Sequence, residues 1–192
     1  MTAGILIVRN SMPAPIDILV TGGTGYIGRR LVPMLVARGH RVRVLTRPQS
    51  AGHVPDGATA VVGDALDKAS VLAALKTDDS VVHLIGTPHP SPAKGKQFEQ
   101  IDLASIRAMV AAATQARISD LVYVSVAQPA PVMQAYLWVR ALGEAMIREA
   151  ELTATILRPW YVLGPGRWWP RVFIPLYKLA ERFSATRGSA ER

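Results

Sequence analysis

Hydrophobic and polar positions along this chain follow two alternating periodicities. Six short runs are apolar throughout or at every second position, which is typical of β-strands. The longer stretches between them carry apolar residues three and four positions apart, as on one face of an α-helix. The runs that predict strands are Ile16–Val20, Arg41–Thr46, Thr59–Val62, Ser80–Ile85, Leu121–Val126 and Thr153–Leu157. The predicted helices lie between Tyr26 and a capping Gly39, and at Asp67–Leu75, Gln97–Ala116 and Tyr136–Ala150.

Strands that alternate with helices of this length predict an α/β fold, a doubly wound parallel sheet with helices on both faces. The chain has 192 residues, of which 49% are hydrophobic and 19% charged, so it can bury the core of one domain. We expect that domain to span residues 15–166. An N-terminal extension, 1–14, would precede it. A short C-terminal helical appendage, 167–192, would follow it, as in a shortened version of a longer relative.

The sequence TGGTGYIG, Thr21–Gly28, lies between the first predicted strand and the first predicted helix. It fits the pattern G-x-G-x-x-G, in which glycines permit a tight turn, close approach of the backbone to a pyrophosphate, and close packing of the helix on the sheet. A helix N-terminus also attracts anions. The turn therefore predicts a dinucleotide site, with a flexible turn as the alternative. The predicted contacts are Gly22, Gly23, Thr24, Gly25, Tyr26, Ile27 and Gly28.

The end of the second predicted strand favours NADP over NAD. A site that prefers NAD places an acidic residue about 20 positions beyond the glycines, where it binds the ribose hydroxyls. Here that position holds Thr46 and Arg47, and no Asp or Glu occurs in residues 18–55. Arg47, with Arg29 or Arg30, is suited to the 2′-phosphate of NADP. The alternative is that these arginines are solvated surface residues.

Charge and cysteine content limit the other functions. The net charge is +8, and the acid-free segment 18–55 carries six arginines, so an anionic ligand, nucleic acid or an acidic membrane surface has to be considered. There is no cysteine and the histidines lack ligand spacing, so no metal site is expected. No apolar run approaches the ~18 residues of a membrane span, and the start is a poor signal peptide. We therefore expect a cytoplasmic protein.

Four segments of the chain resemble the atypical and extended short-chain dehydrogenase/reductases. They are TGGTGYIG at 21–28, VGD at 62–64, YVS at 123–125 and LRPWYVLGPG at 157–166. The similarity is greatest to the NAD(P)H-binding, NmrA-like branch, which includes relatives of a respiratory complex I accessory subunit. It covers about residues 16–166 and implies a Rossmann-type dinucleotide-binding domain.

The resemblance also implies further contacts with the cofactor and substrate. Those at the adenine, the ribose and the nicotinamide are, in that order, Asp64 with Ala65, Gly86, and Pro159 with its neighbours Trp160 and Tyr161. Ser125 would face the reacting carbonyl at the end of the fifth strand. The simpler alternatives are that Asp64 is a helix N-cap and that Ser125 is merely a polar residue at a strand end.

Reductases of this group use a Tyr-x-x-x-Lys pair, in which the tyrosine is the acid and base. The matching stretch here runs from Tyr136 to Arg140 and lies eleven residues after Ser125. A helix places Tyr136 and Arg140 on one face, where Arg140 could assist the phenol and bind ribose hydroxyls. Because a guanidinium stays protonated in proteins, Arg140 cannot relay a proton. The alternative is that Tyr136 is a packing residue and that Arg140 pairs with Glu144.

Two functions stay open on these residues. The first is an NADP-dependent oxidoreductase for a small carbonyl or quinone-type substrate, in which Tyr136 donates the proton, Ser125 orients the carbonyl and Arg140 holds the ribose. The second is a protein that keeps NADP(H) as a structural or redox-sensing ligand without turnover. The replacement of lysine by Arg140 favours the second, and the intact glycine turn fits both.

The C-terminal segment, 164–192, combines aromatic and basic residues. We expect a helix at Ile174–Phe183 that packs against the domain or a partner, because aromatic residues at helical spacing belong to a core more often than to a binding surface. Contact with a membrane surface or a protein partner is the alternative. Nucleic acid is the least favoured partner.

Overall fold

The computed structural model describes residues 14–88, 90–128, 133–160, 162 and 164–165. The contacts within the chain divide it into two compact units, of which the first ends at Arg158 and the second begins at Pro159. The predicted N-terminal extension lies outside the described residues except for Ala14. The predicted appendage, 167–192, lies wholly outside them, and so does its helix Ile174–Phe183.

The described part of the first unit contains a six-stranded parallel sheet with the strand order β3-β2-β1-β4-β5-β6. This arrangement confirms the predicted doubly wound α/β fold. The order reverses between β1 and β4, so the connections leave the sheet in opposite directions there and open a crevice at the carboxyl ends of the strands. The strands are β1 Asp17–Thr21, β2 Arg41–Thr46, β3 Thr59–Val62, β4 Ser80–His83, β5 Asp120–Val124 and β6 Ala154–Leu157.

Five α-helices lie between the strands in the described residues. They are α1 Gly28–Ala37, α2 Lys68–Ala74, α3 Gly95–Gln97, α4 Ala104–Ala116 and α5 Gln134–Glu149. A π-helical segment, Phe98–Leu103, joins α3 to α4. The helix predicted at Gln97–Ala116 is therefore helical throughout but changes its winding in the first half. Short 3-10 helices occur at Pro48–His53 and Pro92–Lys94.

The end of α1 follows the prediction made from Gly39. This glycine has a φ of +84°, a conformation that disfavours side chains. Its N–H donates to the Val36 carbonyl at 2.9 Å, and the next N–H, of His40, donates to the Leu35 carbonyl at 3.2 Å. This bonding satisfies the last carbonyls of the helix and ends it. Pro33 lies inside α1, as the sequence predicts.

Successive residues of β1 contribute to two hydrophobic clusters. Leu19 belongs to the cluster formed with α2, α4 and α5, whereas Ile18 and Val20 belong to the cluster that includes Val32 of α1. All four side chains are at most 3% exposed. Because neighbouring residues of a strand point to opposite faces, helices cover this sheet on both sides.

Candidate functional site

The glycine turn lies at the carboxyl end of β1, beside the point where the strand order reverses. Gly22 has a φ of +75°, and a Cβ there would lie 2.9 Å from the carbonyl carbon of Leu84. A Cβ on Gly28 would overlap the backbone of Gly22 and Gly23. Glycine is therefore required for α1 to begin this close to β1. The Gly25 N–H closes the turn by donating to the Gly22 carbonyl at 3.0 Å.

The start of α1 suits a phosphate ligand. The positive end of the α1 helix dipole lies here, and the first turn of α1 contains no acidic residue. Gly25 is exposed, and Thr24, Tyr26 and Ile27 are half-buried around it. A pyrophosphate can thus reach the backbone of the turn from solvent, so these residues fit a dinucleotide.

Three arginines of the acid-free segment lie at the glycine-turn edge of the sheet. Arg29 and Arg30 are in the first turn of α1, and Arg47 follows β2 directly. Arg30 donates through Nη1 to the Tyr26 carbonyl at 2.8 Å and lies with Cζ 4.1 Å from the centre of the Tyr26 ring. Arg29 and Arg47 are exposed.

Two other arginines of this segment lie toward the amino ends of the strands, away from the glycine turn. Arg41 pairs with Asp17, with Nε–Oδ1 and Nη2–Oδ2 distances of 2.8 and 2.5 Å. Arg43 pairs with the buried Asp79 at 2.5 Å. Two of the six positive charges are thus matched by carboxylates that lie outside the segment in sequence. The charge near the expected phosphates is smaller than the sequence count suggests.

Asp64 lies at the carboxyl edge beyond β3. Its Oδ1 accepts a hydrogen bond from the Leu66 N–H at 2.9 Å, and its own N–H donates to Ser70 Oγ at 2.8 Å. The cap of α2 is Asp67, whose carboxylate accepts the Ser70 N–H at 2.8 Å. The alternative of Asp64 as the helix N-cap is therefore wrong. Asp64 is exposed and Ala65 is buried, at the position where an adenine contact is predicted.

A row of polar side chains crosses the sheet near this edge. Thr21, His83 and Tyr123 are register partners on β1, β4 and β5. His83 is 1% exposed; its Nδ1 lies 2.9 Å from Thr21 Oγ1 and its Nε2 lies 3.3 Å from Ser105 Oγ. Burial, with a smaller contribution from the charge of Arg140, lowers the pKa of His83 to about 3. The imidazole is therefore neutral at physiological pH.

Arg140 is buried between the ends of β4 and β5. Its Nη1 donates to the Val124 carbonyl at 3.0 Å and to the Tyr123 hydroxyl at 3.4 Å. Its Nη2 donates to Asp102 Oδ1 at 2.7 Å and to the Ile85 carbonyl at 3.3 Å. Because each Nη carries two hydrogens, both groups are fully used. The expectation that Arg140 binds ribose hydroxyls is not supported by this geometry.

Tyr136 and Arg140 lie on one face of α5, as their spacing predicts. Arg140 Cζ is 5.2 Å from the centre of the Tyr136 ring, which also packs on Phe98 with ring centres 5.1 Å apart. The alternative pairing of Arg140 with Glu144 is wrong, because Arg140 pairs with Asp102. Tyr136 is half-buried, so it retains partial access to solvent.

Ser125 is 3% exposed and donates its hydroxyl to Glu144 Oε1 at 2.6 Å. Arg158 donates to both oxygens of the same carboxylate, at 2.9 and 2.5 Å. The hydrogen bond from Arg158, and that from Ser125, lower the pKa of Glu144. The hydroxyl hydrogen of Ser125 is thus committed to Glu144. This geometry does not favour the predicted role of Ser125 in orienting a carbonyl.

Gly86 follows β4 and lies against the Arg140 guanidinium. A Cβ at this position would overlap Nη2 of Arg140 and would lie 3.3 Å from Asp102 Oδ1. The absence of a side chain at Gly86 is therefore required by the arginine. Its predicted place beside the ribose stays a prediction.

Residues 22–166 match the family described as NAD(P)H-binding, from Gly22 of the glycine turn through β2 to β6 and the segment after β6. The chain belongs to the NAD(P)H-binding family. The resemblance to the atypical short-chain dehydrogenase/reductases is confirmed, whereas the NmrA-like branch stays a prediction.

Several curated relatives of this NAD(P)H-binding chain are reductases by name. It is 32% identical to a 3-diazoavenalumate denitrifying reductase of a Streptomyces species, over 80% of this chain and 59% of the relative. It is 28% identical to a 4-hydroxy-2-methyl-3-oxo-4-farnesyl-3,4-dihydroquinoline-1-oxide ketoreductase of Stigmatella aurantiaca, over 76% and 50%. The chain thus spans about half the length of the curated relatives it matches.

Solved structures agree with the fold. The Bordetella bronchiseptica enzyme WbmH in complex with NAD+ superimposes with a TM-score of 0.66 at 21% identity, over 79% of this chain and 58% of that one. A UDP-N-acetylglucosamine 4-epimerase from Bacillus cereus gives a TM-score of 0.61 at 25% identity, over 74% and 58%. These likenesses support an NAD(P)-binding fold and do not distinguish NADP from NAD.

The remaining predictions for this NAD(P)H-binding chain concern residues beyond the first unit. Pro159 and Trp160 belong to the second unit, and Tyr161 lies outside the described residues, so their place at the nicotinamide stays a prediction.

None of the helices in the described ranges has the length and apolar character needed to cross a membrane. The same residues contain no cluster of three potential metal ligands.

Sequence reasoning missed the buried polar residues around Arg140. Asp102, Thr87 and His83 were not predicted as site residues, although all three are at most 5% exposed. A usable signal was present, because Asp102 falls four residues after Phe98 on the apolar face of a predicted helix. A carboxylate on a buried face needs a charged or hydrogen-bonded partner, although the sequence does not say which residue provides it.

Proposed function

We propose that this chain prefers NADP(H) to NAD(H) and forms the cofactor-binding part of a reductase for a small carbonyl or quinone-type substrate. The observation that carries the proposal is the exposed Arg47 directly after β2, with no acidic residue in positions 18–55. A ribose 2′-phosphate at this edge would meet Arg47, with Arg29 on the neighbouring helix turn. An acidic side chain there would instead repel it.

The surroundings of each residue indicate its role in the proposed reaction. The glycine turn and the start of α1 bind the pyrophosphate, and Asp64 with Ala65 borders the adenine. When NADPH is bound, its nicotinamide would supply the hydride. Tyr136, half-buried on α5, donates the proton to the substrate oxygen. Ser125 and Arg140 support the site without contacting the substrate, because the Ser125 hydroxyl and both Nη groups of Arg140 donate to protein acceptors.

Substitution of Arg47 tests the cofactor preference. Arg47→Asp removes a charge-assisted hydrogen bond to the 2′-phosphate and adds a carboxylate that repels it. Together the two effects should weaken NADPH binding by about 10- to 100-fold. Binding of NADH should change by less than about threefold, since NADH lacks the 2′-phosphate. Isothermal titration calorimetry measures both dissociation constants.

Arg38→Asp is the matched control, because Arg38 is also exposed but follows the far end of α1. It should leave both affinities unchanged. Equal losses of NADPH and NADH affinity in Arg47→Asp would contradict the 2′-phosphate contact.

A second function is favoured by one specific observation. Ser125 and Arg140, two members of the expected catalytic set, donate to Glu144 and Asp102. A protein that holds NADP(H) as a structural or redox-sensing ligand would need neither of them at the substrate. Oxidation of NADPH with a panel of aldehydes, ketones and quinones separates the two functions. Turnover that disappears in Tyr136→Phe while NADPH affinity is kept supports the reductase; tight binding with no turnover supports the sensor.

A further inference from the structure

The carboxylate of Asp102 divides its two oxygens between two different elements. Oδ1 accepts the hydrogen bond from Arg140 of α5 at 2.7 Å. Oδ2 accepts two hydrogen bonds from Thr87, from its N–H at 2.9 Å and from its hydroxyl at 2.6 Å. Asp102 is 1% exposed, so both sets of contacts are shielded from water. One buried side chain thus joins the loop after β4 to helix α5.

The π-helical segment places Asp102 where it can pair with Arg140. Phe98 and Asp102 are four residues apart in this segment, and their partners Tyr136 and Arg140 are four apart on α5. Phe98 packs on the Tyr136 ring, and Asp102 pairs with Arg140. Two matched contacts therefore fix the π-helical segment against the face of α5 that carries the proposed proton donor. Such segments occur often at functional sites.

The same ion pair fixes the backbone at the ends of two strands. Arg140, held by Asp102, donates to the carbonyls of Ile85 and Val124, which lie where β4 and β5 end. Gly86 lies against the guanidinium, and Thr87, the next residue, is bonded to Asp102 itself. One ion pair therefore holds the Ile85–Thr87 backbone by hydrogen bonds on both sides of Gly86.

We propose that Asp102 is a positioning residue of the cofactor site. It fixes the position of the Ile85–Thr87 backbone, in which Gly86 is predicted to lie beside the ribose, relative to the face of α5 that carries Tyr136. The inference rests on the proposed function, because it requires that the cofactor binds along this edge. Asp102 itself touches neither cofactor nor substrate.

The chain offers a matched control for this role. Asp79 is also 1% exposed, and it too accepts hydrogen bonds from an arginine, the half-buried Arg43, and from a backbone N–H, that of Lys76. This pair lies toward the opposite edge of the sheet from the glycine turn: Asp79 precedes β4, and Arg43 donates to the carbonyl at the end of α2. Asp79→Asn and Asp102→Asn remove the same charge from similar surroundings, so both should lower stability.

The experiment compares NADPH affinity in these two variants under conditions in which circular dichroism shows both to be folded. Asp102→Asn should weaken NADPH binding by about tenfold or more, the scale found when a group that orients a binding residue is lost. Asp79→Asn should keep the wild-type dissociation constant. Equal affinities in the two variants would overturn the inference and leave the proposed function intact. A wild-type chain that binds neither NADPH nor NADH would overturn both.

Thr87 provides a second, milder pair of variants in case Asp102→Asn does not fold. Thr87→Val removes only the hydroxyl that donates to Asp102, and it should weaken NADPH binding by about three- to tenfold. Thr87→Ser keeps that hydroxyl and should restore the wild-type affinity. Equal affinity in the valine and serine variants would overturn the inference, because a role in packing alone does not depend on the hydroxyl.

Discussion

His83 should make the stability of the fold depend on pH above the range in which carboxylates titrate. In the unfolded chain its pKa has the ordinary value of 6.5, and in the native structure burial, followed by the charge of Arg140, lowers that pKa to about 3. Between these values the unfolded state binds a proton that the native state excludes. Stability is therefore complete above pH 6.5 and falls as the pH is lowered through 6.5 toward 3.

The magnitude follows from the two pKa values. Each pH unit in the window between them costs about 1.4 kcal/mol, so the free energy of unfolding should fall by about 2 kcal/mol from pH 7.5 to pH 5. The carboxylates of Asp17 and Glu144 have lowered pKa values, so they hold stability that is lost only below about pH 4.5. Above pH 5 these two carboxylates therefore add little to the pH dependence expected from His83.

Urea unfolding at several pH values, followed by circular dichroism, measures this slope. His83→Gln keeps a side chain that can hydrogen-bond to Thr21 and Ser105 but cannot be protonated, so its stability should be nearly constant from pH 7.5 to 5. His53→Gln changes an exposed histidine and should keep the wild-type slope. A slope in His83→Gln equal to that of the wild type would refute the assignment.

Three further substitutions test the site and its surroundings. Gly28→Ala should abolish nucleotide binding and lower the thermal midpoint, because its Cβ would overlap the backbone of Gly22 and Gly23; calorimetric titration and a melting curve check this. Ser125→Ala should cost about 1–3 kcal/mol in urea unfolding, since it removes a buried hydrogen bond to a carboxylate, but a reductase assay should show little loss of turnover. Leu19→Ala should cost about 2–5 kcal/mol, because the side chain is fully buried between β1 and the helices of its cluster; a loss below about 1 kcal/mol would contradict that packing.

The fold could be predicted from the sequence because its signals are local. Each strand is a short apolar run, and the glycine turn follows the first of them, so the order of elements and the cofactor edge were both available. The end of α1 was predicted from Gly39, whose positive φ the structure confirms. The change to π-helical winding at Phe98–Leu103 was not predictable, because the apolar spacing there is also compatible with an α-helix.

The catalytic set was harder to predict because it depends on contacts between distant segments. Arg140 was placed on the correct helix face, but its partner Asp102 lies 38 residues earlier in the chain. The expected ribose contact took no account of this ion pair. Ser125 was expected to face the substrate, and its bond to Glu144 depends on how α5 packs on β5. Sequence spacing within one element could not supply either contact.

The prediction from the charge distribution was only partly correct, because it too depended on contacts between distant segments. The acid-free segment was identified correctly, but Arg41 and Arg43 pair with Asp17 and Asp79, which lie outside it in sequence. The argument for NADP therefore depends on Arg47 and Arg29, and on the missing acid after β2.

Calorimetric titration of the wild-type chain with NADPH and with NADH is the most direct test of the account. An exposed Arg47 and the absence of an acid at the end of β2 predict that NADPH binds at least about tenfold more tightly than NADH. Equal affinity, or tighter binding of NADH, would contradict the proposed preference.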